Sequence, residues 1–170
     1  MSFDISDRTP ALPAARPLHV PAGEGLVKWM SGDEYTIKAT RADTGGSLSF
    51  IDAIVPPGGG PVAHVHGGED EAFFILDGEL EFLDGDRTFT GKEGDFVFVP
   101  RGHRHRFKNI IDRPVRTLFL FTPGGFEDFF IQAGDDPQPG RTPPVWDMSR
   151  FQQIGDLVAR ADMTLLPETP

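Results

Sequence analysis

The chain has 170 residues, with 26 acidic and 16 basic side chains and a formal net charge of −10. This length predicts one domain, and the acidic balance argues against a nucleic-acid or anionic-membrane partner, because both require clustered positive charge. The absence of cysteine excludes a disulfide framework, a thiolate metal site and a cysteine nucleophile. No apolar run reaches the roughly 18–20 residues of a membrane span and no signal peptide is visible, so we expect a cytoplasmic protein without a membrane partner.

Residues 1–24 contain four prolines and little hydrophobic periodicity, which predicts an extended arm that hangs free or lies along a neighbouring subunit. From residue 25 to residue 122 the pattern changes to short β-type runs, such as SLSFIDAIV and DFVFV, separated by turns rich in Gly and Pro. Many short strands without a helical pattern between them favour an antiparallel sandwich or barrel. We therefore predict an all-β domain over residues 25–122.

Helical patterns occur only in residues 123–170, which we predict to form a C-terminal helical extension. Phe126, Phe129 and Phe130 fit one face of a short helix, and a second apolar face follows a proline-rich connection at residues 134–146. That second face consists of Phe151, Ile154, Leu157 and Val158. We expect the extension to pack on the barrel or on a partner subunit, with a lid over the barrel mouth as the alternative.

Four of the five histidines form two pairs, each with one residue between its members. His64 and His66 lie on one face of a strand, because side chains two residues apart point the same way. In the second pair, His105 lies on the interior face of its strand, whereas His103 belongs to a turn and is expected at the rim. The fifth histidine, His19, lies in the arm and is expected to be exposed.

A carboxylate follows the first histidine pair. An antiparallel pairing of residues 61–66 with residues 71–76 would return an acidic side chain beside the two imidazoles. Glu71 has the phase of the apolar strand that follows it, whereas Glu69 and Asp70 fall in the intervening loop, where we expect them to be solvated. Glu71 is therefore the favoured carboxylate.

Three imidazoles and one carboxylate, without sulfur, suit a divalent first-row metal with open coordination positions. The basic side chains around His105 point away from it by strand parity, so we expect them to be solvated and paired with acids. These basic residues are Arg104, Arg106 and Lys108.

The spacing of these residues resembles the two motifs of the cupin superfamily. The first motif is matched by Gly58, His64, His66, Glu71 and Gly78. The second is matched by Gly94, Pro100, Gly102, His105 and Asn109. The resemblance implies a double-stranded β-helix (jelly-roll) barrel with short C-terminal helices, and one divalent transition metal ion: nickel, manganese, iron, cobalt, copper or zinc. The implied metal ligands are His64, His66, Glu71 and His105.

A longer stretch, from GDEYTIKAT through TPGGFEDFF to LVARADMTLLP, is similar to bacterial monocupins of the quercetin 2,3-dioxygenase-like group. This similarity implies a dioxygenase that cleaves a flavonol-like or other aromatic or enolic molecule with O2, with Glu71 as the catalytic residue that takes the hydroxyl proton. Two alternatives stay open: a non-oxidative metal cupin, such as a sugar or sugar-phosphate isomerase or epimerase, and a small-molecule-binding cupin without turnover. Because cupins commonly pair, we expect a homodimer.

Fifteen phenylalanines, against one tyrosine and two tryptophans, predict an aromatic-lined pocket. Such a pocket suits an apolar or aromatic small-molecule substrate better than a sugar phosphate. The expected interior positions are Phe50, Phe73, Phe82, Phe96, Phe98, Phe107 and Phe119.

Overall fold

The computed structural model describes residues 15–167, whose strands form two antiparallel sheets. In chain order the elements are β1 (Leu26–Met30), β2 (Asp33–Ala39), β3 (Ser49–Val55), β4 (His64–His66), β5 (Asp70–Asp77), β6 (Glu79–Asp84), β7 (Arg87–Lys92), β8 (Phe96–Val99), β9 (His105–Asn109), β10 (Val115–Thr122), α1 (Glu127–Ala133), α2 (Met148–Gln153), α3 (Gly155–Arg160) and β11 (Met163–Leu165). One sheet has the order β1-β2-β3-β10-β5-β8 and the other β11-β4-β9-β6-β7. The predicted all-β jelly-roll fold with short C-terminal helices is confirmed.

Alternating side chains build the core between the sheets. On β2, for example, Tyr35 and Ile37 are buried while Thr36 between them is partly exposed. Phe73, Phe107 and Phe119 come from three different strands, and their ring centroids lie 5.1–5.7 Å apart. Aromatic pairs at this spacing contribute about 0.5–1.5 kcal/mol each beyond the burial of their area. The phenylalanine-rich composition therefore becomes one connected aromatic core.

The predicted pairing of residues 61–66 with residues 71–76 is wrong. β4 pairs with β9 and β11, whereas β5 pairs with β10 and β8 in the other sheet. The short connection between β4 and β5 crosses from one sheet to the other instead of folding back as a hairpin. A short loop containing glycine serves either connection, so the local sequence does not distinguish them. As a result, the histidines of β4 approach Glu71 across the interior.

The predicted interior phenylalanines divide into two groups. Phe73, Phe82, Phe107 and Phe119 are buried, as predicted. The prediction is wrong for Phe50, which is partly exposed and alternates with the buried Ser49 and Ile51 on β3. It is also wrong for two residues of β8, Phe96 and Phe98, which are 64% and 53% exposed.

The two faces of β8 explain this error. The strand is apolar on both faces, so its period-two pattern does not show which face is inward. Val97 and Val99, which alternate with the exposed phenylalanines, turn toward the core instead.

The C-terminal extension packs on the barrel through three short helices and one strand. Asp147 caps α2, because its side chain accepts a hydrogen bond from the backbone N–H of Arg150 at 3.0 Å. β11 then pairs with β4, with Met163 opposite His66 and Leu165 opposite His64. The extension therefore adds an edge strand directly beside the first histidine pair.

The predicted arm, residues 1–24, lies partly outside the described residues, since residues 1–14 are not among them. Residues 15–24 form neither helix nor strand, and His19 is exposed, as expected. The backbone carbonyl of Pro21 accepts a hydrogen bond from Lys38 Nζ at 3.3 Å. Within residues 15–167, none of the helices has the length and apolar character needed to cross a membrane.

Candidate metal centre

Four buried side chains converge inside the barrel from three strands. His64 and His66 lie on β4, and Val65 between them is less buried. His105, the first residue of β9, pairs in register with His64, while Glu71 comes from β5 in the opposite sheet. The cluster therefore bridges the two sheets.

The candidate ligand atoms of these four residues all lie within 4.8 Å of one another. The Oε2 atom of Glu71 lies 2.9 Å from Nε2 of His105 and 3.3 Å from Nε2 of His66. The rings of His64 and His105 have centroids 4.4 Å apart. Metal–ligand bonds of about 2.0–2.2 Å place ligand atoms roughly 3–4 Å from each other, so this cluster has the size of a coordination sphere.

Backbone carbonyls orient two of the imidazoles. Nδ1 of His64 lies 2.8 Å from the carbonyl of Val62, and Nδ1 of His105 lies 2.9 Å from the carbonyl of His103. Because a carbonyl only accepts, each Nδ1 is the donor, and in the neutral ring Nε2 keeps the lone pair that a metal needs. The nitrogen and oxygen donors present therefore fit a divalent transition metal, and these four residues could hold one.

The electrostatics of the cluster give Glu71 and His64 the protonation states that metal ligation requires. Burial raises the pKa of the Glu71 carboxyl, but hydrogen bonds to His105 and His66 outweigh it and lower that pKa to about 2. Burial, together with the neighbouring imidazoles of His105 and His66, lowers the pKa of His64 to about 3. Glu71 is therefore a carboxylate and His64 a neutral imidazole at neutral pH, as metal ligation requires. Burial lowers the pKa of His105, but its hydrogen bond to Glu71 outweighs this and raises that pKa, so His105 would release its Nε2 proton on binding a metal.

Nearby titratable side chains lie outside the cluster. Asp70 accepts hydrogen bonds from the backbone N–H of Arg101 at 2.9 Å and from its guanidinium at 3.0 and 3.1 Å, and this partner lowers the pKa of Asp70 to about 2. Nε2 of His103, in the turn before β9, lies 2.6 Å from a carboxyl oxygen of Asp84, so His103 is not a fifth member of the cluster. The prediction that Glu69 and Asp70 are solvated loop residues is wrong, because Glu69 is partly buried and Asp70 is the first residue of β5, but neither belongs to the cluster.

Two members of the predicted basic row pair with acids, and one of these two is not solvated. Arg104 contacts Asp86 at 3.2 Å, and Arg106 contacts Glu81 at 2.8 Å. Lys108 is exposed, but Arg106 is only 7% exposed because β9 is packed on both faces at this point. None of the three lines the cavity that adjoins the cluster.

That cavity has a volume of about 340 Å³ and is lined by three of the four clustered residues. The lining is mainly apolar, and no Lys or Arg among the described residues contributes to it. Its barrel side is aromatic, with Phe107, Phe119 and Phe121 in the wall. The volume lies in the range of about 300–1,000 Å³ typical of ligand pockets.

The C-terminal extension supplies the rest of this wall. Trp146 is 8% exposed and donates from Nε1 to a carboxyl oxygen of Asp135 at 2.7 Å. Ile154, at the junction of α2 and α3, and Met163 on β11 also line the cavity. The extension therefore forms one wall of the cavity beside the cluster.

A second cavity, of about 400 Å³, contains none of the four clustered residues. It shares Phe126 and Phe129 with the apolar cavity and is lined in addition by charged side chains, including Arg41 and Arg160. Its position makes it a neighbour of the candidate metal centre and not a part of it.

Two polar residues of the apolar cavity were not identified from the sequence. Asp33 and Tyr35 both line it, and both are 4% exposed. The sequence pattern could have identified Asp33, because it has the same strand phase as Tyr35 and Ile37 and therefore lies on the interior face of β2. An acid at an interior position of an alternating strand indicates a buried carboxyl.

The barrel matches one protein-family model and is similar in sequence to several known proteins. The family model described as "Cupin domain" (Cupin_2) matches residues 52–121, which include both histidine motifs. An uncharacterised protein from Methanocaldococcus jannaschii is 34% identical over 82 residues, covering 47% of this chain and 65% of that protein. Polyketide synthase CurC from Streptomyces cyaneus is 33% identical over 94 residues, covering 54% of this chain and 60% of CurC. The chain thus spans less than two thirds of the length of either relative.

A solved structure shares the fold. The crystal structure of a protein described as a predicted oxalate decarboxylase from Thermotoga maritima superimposes with a TM-score of 0.59 and 24% sequence identity. The match covers 62% of this chain and 99% of that chain. It shows that the two chains have the same barrel.

Proposed function

The chain belongs to the cupin superfamily, and we propose that it is a metal-dependent dioxygenase that cleaves an apolar aromatic or enolic small molecule with O2. The observation that carries this proposal is the position of the histidine–glutamate cluster in the wall of an aromatic cavity that no described Lys or Arg lines. The proposed metal ligands are His64, His66, Glu71 and His105.

The cavity walls support an apolar substrate. Phe119, Phe121 and Phe126 present aromatic surface to a ligand, and such surface binds flat rings through burial and ring contacts. A sugar phosphate would instead leave its charge without a cationic partner, which is costly in a cavity of low polarity. The cavity therefore favours the dioxygenase over the isomerase or epimerase alternative.

Glu71 is the proposed proton acceptor. Its carboxylate is held ionised by His66 and His105, and it lines the cavity, so it can take the proton of a substrate hydroxyl. A metal bound by the cluster would supply Lewis acidity and redox capacity at that point. The C-terminal extension, with Trp146 and Ile154 in the wall, limits the access of water to the ionised substrate.

One relative supports the substrate class. The name of CurC connects it with polyketide synthesis, and polyketides carry alternating carbonyl groups that enolise and cyclise to aromatic rings. An enolic or phenolic hydroxyl is the group from which Glu71 would take a proton. Binding without turnover is the second candidate, because an apolar cavity suits a stored ligand equally well.

Oxygen consumption tests the proposal. Protein reconstituted separately with nickel, cobalt, manganese, iron and copper would be given flavonols and catechols in an oxygen electrode, with carbon monoxide measured for the flavonols. We expect uptake with at least one metal, and loss of turnover in Glu71→Gln. Glu69→Gln, a matched carboxylate-to-amide change two residues away and outside the cluster, should retain it.

The opposite results are equally informative. Absence of uptake with every metal and substrate contradicts the dioxygenase. Calorimetric binding of the same compounds without uptake would support the non-catalytic alternative.

A further inference from the structure

A buried acid and a buried phenol lie side by side on β2. Asp33 and Tyr35 occupy consecutive interior positions of this strand, and each is 4% exposed. The Tyr35 hydroxyl donates a hydrogen bond to Oδ2 of Asp33 at 2.8 Å. Neither residue belongs to the histidine–glutamate cluster or to either sequence motif.

The second carboxyl oxygen of Asp33 has no hydrogen-bond partner among the described residues. This atom, Oδ1, is buried and packs closely against Gly59. A Cβ on Gly59 would come within 2.6 Å of it, so a side chain at that position would collide with the carboxyl. Within residues 15–167, no Lys or Arg side chain forms an ion pair with Asp33 either. A buried carboxyl oxygen without a hydrogen-bond partner lowers the stability of the fold, so a ligand that supplies a donor here would satisfy it.

Both residues line the apolar cavity together with His64, His66 and Glu71. Most of the remaining wall is apolar, so the pair is a separate polar point in the same cavity. Burial raises the pKa of the Asp33 carboxyl to about 7, although the hydrogen bond from Tyr35 opposes this. Near neutral pH the carboxyl can therefore accept a hydrogen bond or donate one.

We propose that Asp33, positioned by Tyr35, is a second polar anchor of the pocket, which hydrogen-bonds a phenolic or enolic hydroxyl of the bound substrate. The proposal rests on the proposed function, because it assigns a specificity determinant for the same hydroxylated aromatic substrate. The substrate then carries one hydroxyl at the histidine–glutamate cluster and another at the anchor. A pocket that hydrogen-bonds a substrate hydroxyl discriminates strongly against analogues that lack it, because its buried polar group is then left without a partner.

A matched pair of aromatic probes tests the anchor without requiring turnover. Isothermal titration calorimetry on metal-loaded protein would compare naphthalene-2,6-diol with 6-methoxy-2-naphthol, which keeps one hydroxyl for the histidine–glutamate cluster but has no second hydroxyl proton for the anchor. We expect the diol to bind about tenfold more tightly, as for one hydrogen bond to a charged or polar buried group. Asp33→Ala should bring this ratio close to one, and Tyr35→Phe should reduce it without abolishing it. Asp52→Ala removes a carboxylate that pairs with Arg116, outside the cavity, and should leave the ratio unchanged.

Each outcome decides the question. An equal affinity of the wild type for both probes, or no binding of either up to its solubility limit, overturns the proposal. A purely structural role would lower the melting temperature of Asp33→Ala while keeping the wild-type ratio, and this result also overturns it. If the ratio of the two probe affinities depends on Asp33 but the protein consumes no oxygen, the anchor is supported and only the dioxygenase is rejected.

Discussion

Replacing Asp33 with asparagine should stabilise the protein above about pH 7 and change its stability little near pH 4. Burial raises the pKa of this carboxyl from 3.8 to about 7, although the hydrogen bond from Tyr35 opposes the change. The folded protein therefore keeps a proton on Asp33 over a pH range in which the unfolded chain has released it.

The sign and the size of the effect follow from this difference. Between about pH 4 and pH 7 the folded state binds more protons at Asp33 than the unfolded state, so the free energy of unfolding falls as the pH rises. A difference of about three pKa units corresponds to about 4 kcal/mol. Asparagine has nearly the same size and carries no such proton. The free energy of unfolding of Asp33→Asn, relative to the wild type, should therefore rise by up to about 4 kcal/mol across this range.

Urea unfolding of chelator-treated protein from about pH 4 to pH 8 measures this difference. Asp52→Asn, outside the cavity, controls for the loss of one negative charge, and its relative stability should not rise across the same range. The argument is refuted if the free-energy difference between Asp33→Asn and the wild type is independent of pH.

Three further predictions concern the metal, the pocket wall and the assembly. Elemental analysis of His105→Ala should find the stoichiometric metal lost, whereas His103→Ala should retain it; equal metal contents would exclude the proposed ligand set. Trp146→Ala should lower the free energy of unfolding by about 3–5 kcal/mol in denaturant titrations, because it removes a large buried aromatic side chain. A loss below about 1 kcal/mol would contradict the packing of Trp146 in the cavity wall. We propose that the exposed face carrying Phe96 and Phe98 forms the homodimer interface. Light scattering should then give twice the 18.7 kDa chain mass for the wild type and the single chain mass for Phe96→Glu/Phe98→Glu. A monomeric wild type would exclude the dimer.

The sequence determined the candidate ligands because the relevant information is local. The alternation of His64 and His66 on one strand, and the interior phase of Glu71 and His105, depend only on the period-two geometry of β-strands. The same period predicted the all-β class and the inward direction of most phenylalanines. These features needed no knowledge of which strands pair.

Only the tertiary structure decided how the strands are placed. It put β4 and β5 in opposite sheets, so that Glu71 reaches the histidines across the interior, and it added β11 to the edge of β4. It also turned Phe96 and Phe98 outward, because a strand that is apolar on both faces has no local signal for its direction. Asp33 became significant only when its neighbours were known, since the cost of a buried carboxyl depends on partners that come from distant parts of the chain. Periodicity within one strand is a property of the sequence, whereas strand pairing, burial and the partners of a polar group are properties of the packed fold.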